Sequence, residues 1–196
     1  VKLEVKLPVS LWDAGERVGL RRYERAKEKG SRDSFGQDSA ENHVYGARGE
    51  AAAAYAMGLE WPHARSIDGY AEVADLLPNW EIRTCATAGG MKVRVPCSPT
   101  RHKYCDQPER LVAFVFNDRG SPRYRMIGYV VADWAQRHRP LSDPGERKVP
   151  AHFVKMTDLA PFTEDFHAIH GWVRDPSSPS GWACAYCPVQ YEGATP

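Results

Sequence analysis

The sequence predicts an α/β fold: a mixed central β-sheet flanked by helices. Three observations carry that expectation. Two helix-length segments precede residue 60, two pairs of short strand-like runs joined by glycine-bearing turns fill the middle, and the helical stretch DWAQRH follows the second pair.

The first helix is expected from about Ser10 to Lys29, because Ser10 and Asp13 have the spacing of a capping box and Gly30 stops the run. Arg17, Arg21 and Arg25 recur every four residues along it. Glu16, Glu24 and Glu28 are interspersed, so a solvated amphipathic face is the simpler explanation than a dedicated anion-binding stripe. SRDSFGQDS reads as a loop. The second helix is expected from Ser39 to Gly58: Ala51 to Ala54 and Met57 are good helix formers, and Pro62 lies beyond the stop. Gly46, Ala47, Gly49, Ala53 and Ala54 surround Glu50, and side chains this small let a helix lie close against a sheet with Glu50 projecting from that face. His43, seven residues earlier, shares nearly the same face. The alternative is an alanine-rich surface helix whose Glu50 meets solvent or the surroundings of Arg48.

Strands are expected at Trp80 to Cys85 and Met91 to Val95, paired as a hairpin across ATAGG. LVAFVFN, residues 111 to 117, is apolar enough for a central strand, and DRGSPR turns it into YRMIGYVV, residues 124 to 131. After DWAQRH comes a proline- and glycine-rich loop, RPLSDPGERKVP. HFVKM then suits an edge strand, and TDLAPFTEDFHAIHGW a helix broken at Pro161. The tail DPSSPSGWACAYCPVQYEGATP has no periodicity. The resulting division is an N-terminal helical extension (1–37), a core (38–165), and a C-terminal helix end with a cysteine-containing tail packing on the core (166–196).

A chain of 196 residues with 42% hydrophobic and 26% charged residues suits one soluble globular domain with an appended tail. No apolar run approaches the roughly 18 residues of a membrane span. VKLEVKLPVS lacks the long apolar stretch of a signal peptide, so an intracellular, cytoplasmic protein with no membrane partner is expected. Net charge is +1, but residues 101 to 150 carry 10 basic against 6 acidic side chains, a local excess suited to phosphate contacts.

In NWEIRT, residues 79 to 84, Glu81 and Arg83 alternate with Trp80, Ile82 and Thr84. They either face water or project into a cleft. Asp75 lies six residues before Glu81, with the turn residues Pro78 and Asn79 between them, so a bend there brings the carboxylates together. Paired carboxylates beside a cation suit Mg²⁺ or Mn²⁺, which take hard oxygen ligands and act on phosphates; Glu50 could supply a further ligand. Asp68, thirteen residues before Glu81, is a second contender for the place of Asp75. Lys92 shares the Glu81 and Arg83 face in one hairpin register and leaves it after a one-residue slip.

GARGEAAAAYAMGLEW, then an Asp separated from EIRT by five residues, then GGMKVRV, LVAFVF and YRMIGYVVADWA together resemble the PD-(D/E)XK nuclease-like superfamily, in the form common in phage genomes. The similarity runs from about Asp38 to about Phe162. It implies a restriction-endonuclease-like core with a four-stranded mixed sheet. It further implies Mg²⁺- or Mn²⁺-dependent hydrolysis of DNA phosphodiester bonds, of branched or repair-type DNA as in phage resolvases, inside a bacterial host. A homodimer is compatible with it. Glu50, Asp75 and Glu81 take the acidic positions of the pattern. Arg83 departs from it, since lysine usually stands there; arginine binds phosphate but does not readily accept a proton. Proton-transfer roles then fall elsewhere, with Lys92 a candidate. The departure also leaves room for a catalytically inactive nuclease-fold module that binds DNA or protein.

Five cysteines remain, and an intracellular setting disfavours disulfides. Cys184 and Cys187 have zinc-knuckle spacing, and Cys97 with Cys105 could complete a four-sulfur structural Zn²⁺ site that staples the tail to the core, with His102 as a spare ligand. The alternative is ordinary loop thiols and a free tail. Four thiolates would leave no open coordination position, which argues against a zinc hydrolase. Cys85 is expected to pack.

Overall fold

The computed structural model describes residues 4–28, 39–61, 74–76, 79–86, 92–96, 110–139, 141–142, 151–162, 172–174 and 182–184. Its elements run β1 (Glu4–Lys6), α1 (Val9–Glu28), α2 (Ala40–Met57), β2 (Trp80–Cys85), β3 (Lys92–Pro96), β4 (Leu111–Phe116), β5 (Arg123–Val131), α3 (Ala132–His138), β6 (Leu141–Ser142), β7 (Ala151–Lys155), a 3₁₀ turn (Met156–Asp158), β8 (Trp172–Arg174) and β9 (Trp182–Cys184). The fold is mixed α/β. Its main sheet has the order β1-β5-β4-β2, with β2 parallel to β4 and the other pairs antiparallel.

The apolar run LVAFVF is β4, a central strand buried on both faces as expected. One face, with Leu111, Ala113, Val115, Trp80 and Ile82, packs under the alanines of α2. The other, with Val112 and Phe114, is covered by Ala132 and Ala135 of α3 and Val154 of β7. Helix α2 starts and stops where the sequence indicates. Ser39 Oγ accepts the Asn42 amide (3.3 Å), and Gly58 closes the helix in the left-handed region at φ 69°.

Glycines bring the layers together. A Cβ on Gly49 would fall 1.8 Å from Thr84 Oγ1 of β2, and one on Gly19 would fall 2.3 Å from Val44 Cα of α2. Thus α2 lies directly on the sheet and α1 directly on α2. Residues 4–28 are part of this assembly, since β1 forms the sheet edge beside β5 and Ala14 and Val18 of α1 enter the main core.

Several expectations are corrected. The capping box at Ser10 does not start α1: the Pro8 carbonyl accepts the Leu11 and Trp12 amides (3.0 and 2.9 Å), so the helix begins at Val9 and Ser10 lies inside its first turn. The hairpin joining residues 80–85 to 91–95 does not form. The outward edge of β2 is already taken, because Leu76 and Trp80 exchange backbone hydrogen bonds (3.0 and 2.9 Å) and the Ile82 amide donates to Asp75 Oδ2 (2.8 Å). Strand β3 pairs instead with β7 in a second sheet ordered β3-β7-β6, so β7, expected at an edge, is central there.

The segment after residue 155 does not open as an α-helix. Asp158 turns back to accept the Lys155 amide (3.2 Å), and Ala160 exchanges backbone bonds with Tyr129. Gly128 permits that approach, since a Cβ there would lie 2.8 Å from the Ala160 carbonyl oxygen. Trp172 belongs to β8, which pairs with β9, rather than to a helix end. Among the described residues no helix is long and apolar enough to cross a membrane.

Gly19→Ala should lower unfolding free energy by about 1–3 kcal/mol, because its Cβ meets the α2 backbone. Gly46→Ala, with nothing within 4 Å of its Cβ, should raise it by about 0.5–1 kcal/mol. Urea denaturation of the two variants checks both signs.

Candidate functional site

The bridge between Leu76 and Trp80 sets an antiparallel register in which Asp75 stands across from Glu81. Leu76 and Trp80 point into the main core, so by strand alternation Asp75 and Glu81 belong to the opposite face, with Val112 and Phe114. The six-residue spacing therefore sets Asp75 across from Glu81 on adjacent segments. Glu81 is not solvated: it is 1% exposed. Arg83 Nη2 lies 3.0 Å from one of its oxygens, and Arg110 Nη1, itself almost wholly buried, donates to the other at 3.2 Å. Arg110 sits one residue before β4, in register to share the Glu81 face.

Glu50 is buried in the middle of α2. Both its oxygens accept from one guanidinium: Arg22 Nη1 and Nη2 of α1 each donate at 2.7 Å. The Trp61 indole N–H donates to Oε2 at 3.4 Å. Glu50 thus faces neither water nor Arg48, which stacks on the Trp12 ring (3.7 Å) and pairs with Glu16 (2.8 Å). His43 packs beside Tyr23, with ring centroids 6.0 Å apart, at the α1–α2 junction.

Arg22 pairs with Glu50 and also feels the charge of Asp75 and Glu81. Burial acts to lower the pKa of its guanidinium, but Glu50 first, and then Asp75 and Glu81, outweigh it and raise the pKa above the ordinary arginine value. Three carboxylates, from α2, the turn before β2 and β2 itself, therefore share the field of a side chain from α1. Arginines 22, 83 and 110 balance the charge of acids 50, 75 and 81.

Oxygen donors of this kind are those a hard divalent cation takes. Among the described residues, however, no three acidic, histidine or cysteine side chains stand close enough together to hold a metal in this conformation. Glu50 and Glu81 each engage guanidinium groups with both oxygens.

The remaining expected site residues are placed as follows. Lys92 lies opposite Lys155 in the second sheet, so the hairpin register that would set it beside Glu81 is not adopted. Asp68, His102, Cys97, Cys105 and Cys187 lie outside the described residues, and Cys184 pairs through its backbone with Trp172 in β9. Cys85 packs at the second core as expected. Arg22, Arg110 and Trp61 were not anticipated as site residues. Arg22 does carry a signal, because it continues the stripe Ala14, Gly15, Val18, Gly19 at helical spacing, where a buried-face arginine needs a partner.

No family model matches the chain, and no curated protein or solved structure matches it.

Glu50→Gln should lower unfolding free energy by about 2–4 kcal/mol, because it leaves the Arg22 charge without its nearest partner. The double variant Arg22→Met with Glu50→Leu should lose less than either single change, and chemical denaturation of the set reads this directly. Burial also pushes the Cys85 thiol up to about 11, against the lowering pull of Arg83. A raised folded-state pKa means that this contribution is complete below the ordinary thiol value of 9.0 and declines as pH rises toward about 11. Stability should fall over that window by at most about 1.4 kcal/mol per pH unit from this group, and Cys85→Ala should flatten the fall.

Proposed function

We propose that the centre formed by Glu50, Asp75 and Glu81 is the divalent-cation site of a DNA endonuclease. The observation that carries this reading is the placement of Asp75 across from Glu81 at the edge of a mixed sheet, with Glu50 of α2 buried beside Arg22, whose guanidinium feels the charge of all three carboxylates. The helix, turn and strand origins of these acids accord with the PD-(D/E)XK resemblance of the sequence. Asp75 and Glu81, with Glu50 completing the set, would hold Mg²⁺ or Mn²⁺. Bound there, the ion would neutralise phosphodiester charge and acidify an attacking water.

The protein's own groups have distinct tasks. Arg110 fixes Glu81 from within the core, and its burial makes that orientation rigid. Arg83, about one-third exposed beside Glu81, would bind the phosphate and stabilise charge gathering on it, without accepting a proton. Exposed Arg119, Arg123 and Arg125 on the β4–β5 hairpin and its strand, with Arg17, Arg21 and Arg25 on α1, would hold the DNA backbone. A structural Zn²⁺ among Cys97, Cys105, Cys184 and Cys187 would serve the tail and leave this chemistry untouched.

The balanced cluster favours one other reading, a nuclease-fold module that binds DNA or protein without turnover, in which the arginines permanently take the place of a metal. Incubation with supercoiled, branched and single-stranded DNA in Mg²⁺, Mn²⁺ or EDTA separates the two. The nuclease reading expects metal-dependent cleavage that falls on the order of 100-fold or more in Glu81→Gln and Asp75→Asn. Retarded but uncut DNA under every metal condition would favour the inactive module.

A further inference from the structure

Strand β1 ends the main sheet, and among the described residues no strand lies beyond it. Its register with β5 sets Lys6 opposite Arg123, and the next residue, Leu7, donates its amide to the Pro122 carbonyl (2.8 Å). Hydrogen bonding alternates along an antiparallel strand, so Val5 and Leu7 bond inward to β5 while the N–H and C=O groups of Glu4 and Lys6 face outward. Val5 is buried in the main core, whereas Glu4 and Lys6 stand exposed on the opposite face.

The charges on this edge are complementary to themselves. Two copies of β1 laid side by side and antiparallel, with Val5 against Val5, set Glu4 of each chain opposite Lys6 of the other. The residues that meet are those whose backbone groups face outward, so ladder bonds and an ion pair on each side of the axis form in one register. Sliding the strands by two residues either way keeps the ladder but sets Glu4 against Glu4 or Lys6 against Lys6. A lone edge lysine deters pairing; with Glu4 two residues away it selects the register instead. Lys6 also stands across from Arg123 within its own chain, a like-charge neighbour that an incoming carboxylate relieves.

We infer that β1 is the contact through which two copies of this chain pair, joining their main sheets into one continuous sheet across a two-fold axis. The other edge of the main sheet, at β2, is taken by the Leu76 backbone bonds and the Asp75 side chain, so pairing at β1 closes at two copies and does not run on as a fibre. A ladder this short makes a weak dimer whose population depends on concentration. The two-fold stands perpendicular to the sheet, so corresponding faces of the copies lie on the same side. Lys6, Arg123 and Arg125 of both chains then form one exposed basic strip centred on the junction.

Sedimentation equilibrium over a concentration series, on wild type, Glu4→Lys and Lys6→Glu, alone and mixed, tests this. Wild type should approach twice the 22.0 kDa of one chain as concentration rises. Each substitution sets like charges opposite one another, so each should weaken pairing about 10-fold or more. An equimolar mixture of the two variants should recover wild-type association, since the altered edges complement each other though neither complements itself. Where a variant does not fold, carbodiimide coupling of wild type made as a mixture of isotopically light and heavy chains serves instead. It should yield Glu4–Lys6 amide-linked peptides with one label from each chain. A wild type that stays monomeric at every concentration, a dimer insensitive to both substitutions, a variant mixture that does not associate, or linked peptides of a single label would overturn the pairing.

Discussion

The bidentate contact between Arg22 and Glu50 is the constraint on which the centre depends. A charged pair this deep is tolerable only when both partners are satisfied, since either charge left alone in the interior would cost several kcal/mol, of the order of the fold's whole margin. The rest of the architecture supplies the necessary closeness. Glycines at the α1–α2 crossing and at the α2–β2 contact remove the side chains that would hold these layers apart. The result joins an N-terminal helix to the acidic edge of the sheet, so that the extension and the core share one electrostatic unit.

The strand β2 illustrates how one short segment serves opposite demands. Trp80 and Ile82 pack into the main core, while Glu81 faces the second core and is kept ionically paired by Arg83 and Arg110. Its inner edge bonds β4 in parallel, and its outer edge bonds the Asp75–Leu76 segment. With both edges and both faces engaged, Glu81 has little freedom to reorient. Such rigidity is what a site needs if its carboxylate is to meet an incoming charge without reorganising.

Much of the fold was legible because it rests on local signals. Ser39 and Gly58 bound α2 through cap chemistry that the sequence displays, and LVAFVF announces a strand covered on both sides. The Asp75 to Glu81 spacing was readable for the same reason, since the two lie across the short Leu76–Trp80 bridge. What was not legible depended on distant partners. ATAGG looks like a hairpin turn, but β2 had both edges taken by β4 and by the Leu76 segment, and no local pattern announces that. HFVKM reads as an edge because its neighbour β3 comes from far up the chain and its other neighbour, β6, is only two residues long. Arg22 was obscured by Arg17, Arg21 and Arg25, whose regular spacing draws the eye to the solvent side of the same helix, where all three are exposed.

The bond from the Ile82 amide to the Asp75 side chain has a bearing on solubility. An outer strand with vacant donors is a template onto which a neighbouring molecule can add its own strand. Here a negative charge sits over that donor, so a second chain approaching side-on would meet a blocked ladder and an anionic lip. If Asp75 turns away to serve another ligand, the lip opens, and the sheet then depends on whatever occupies the cleft to keep it solitary.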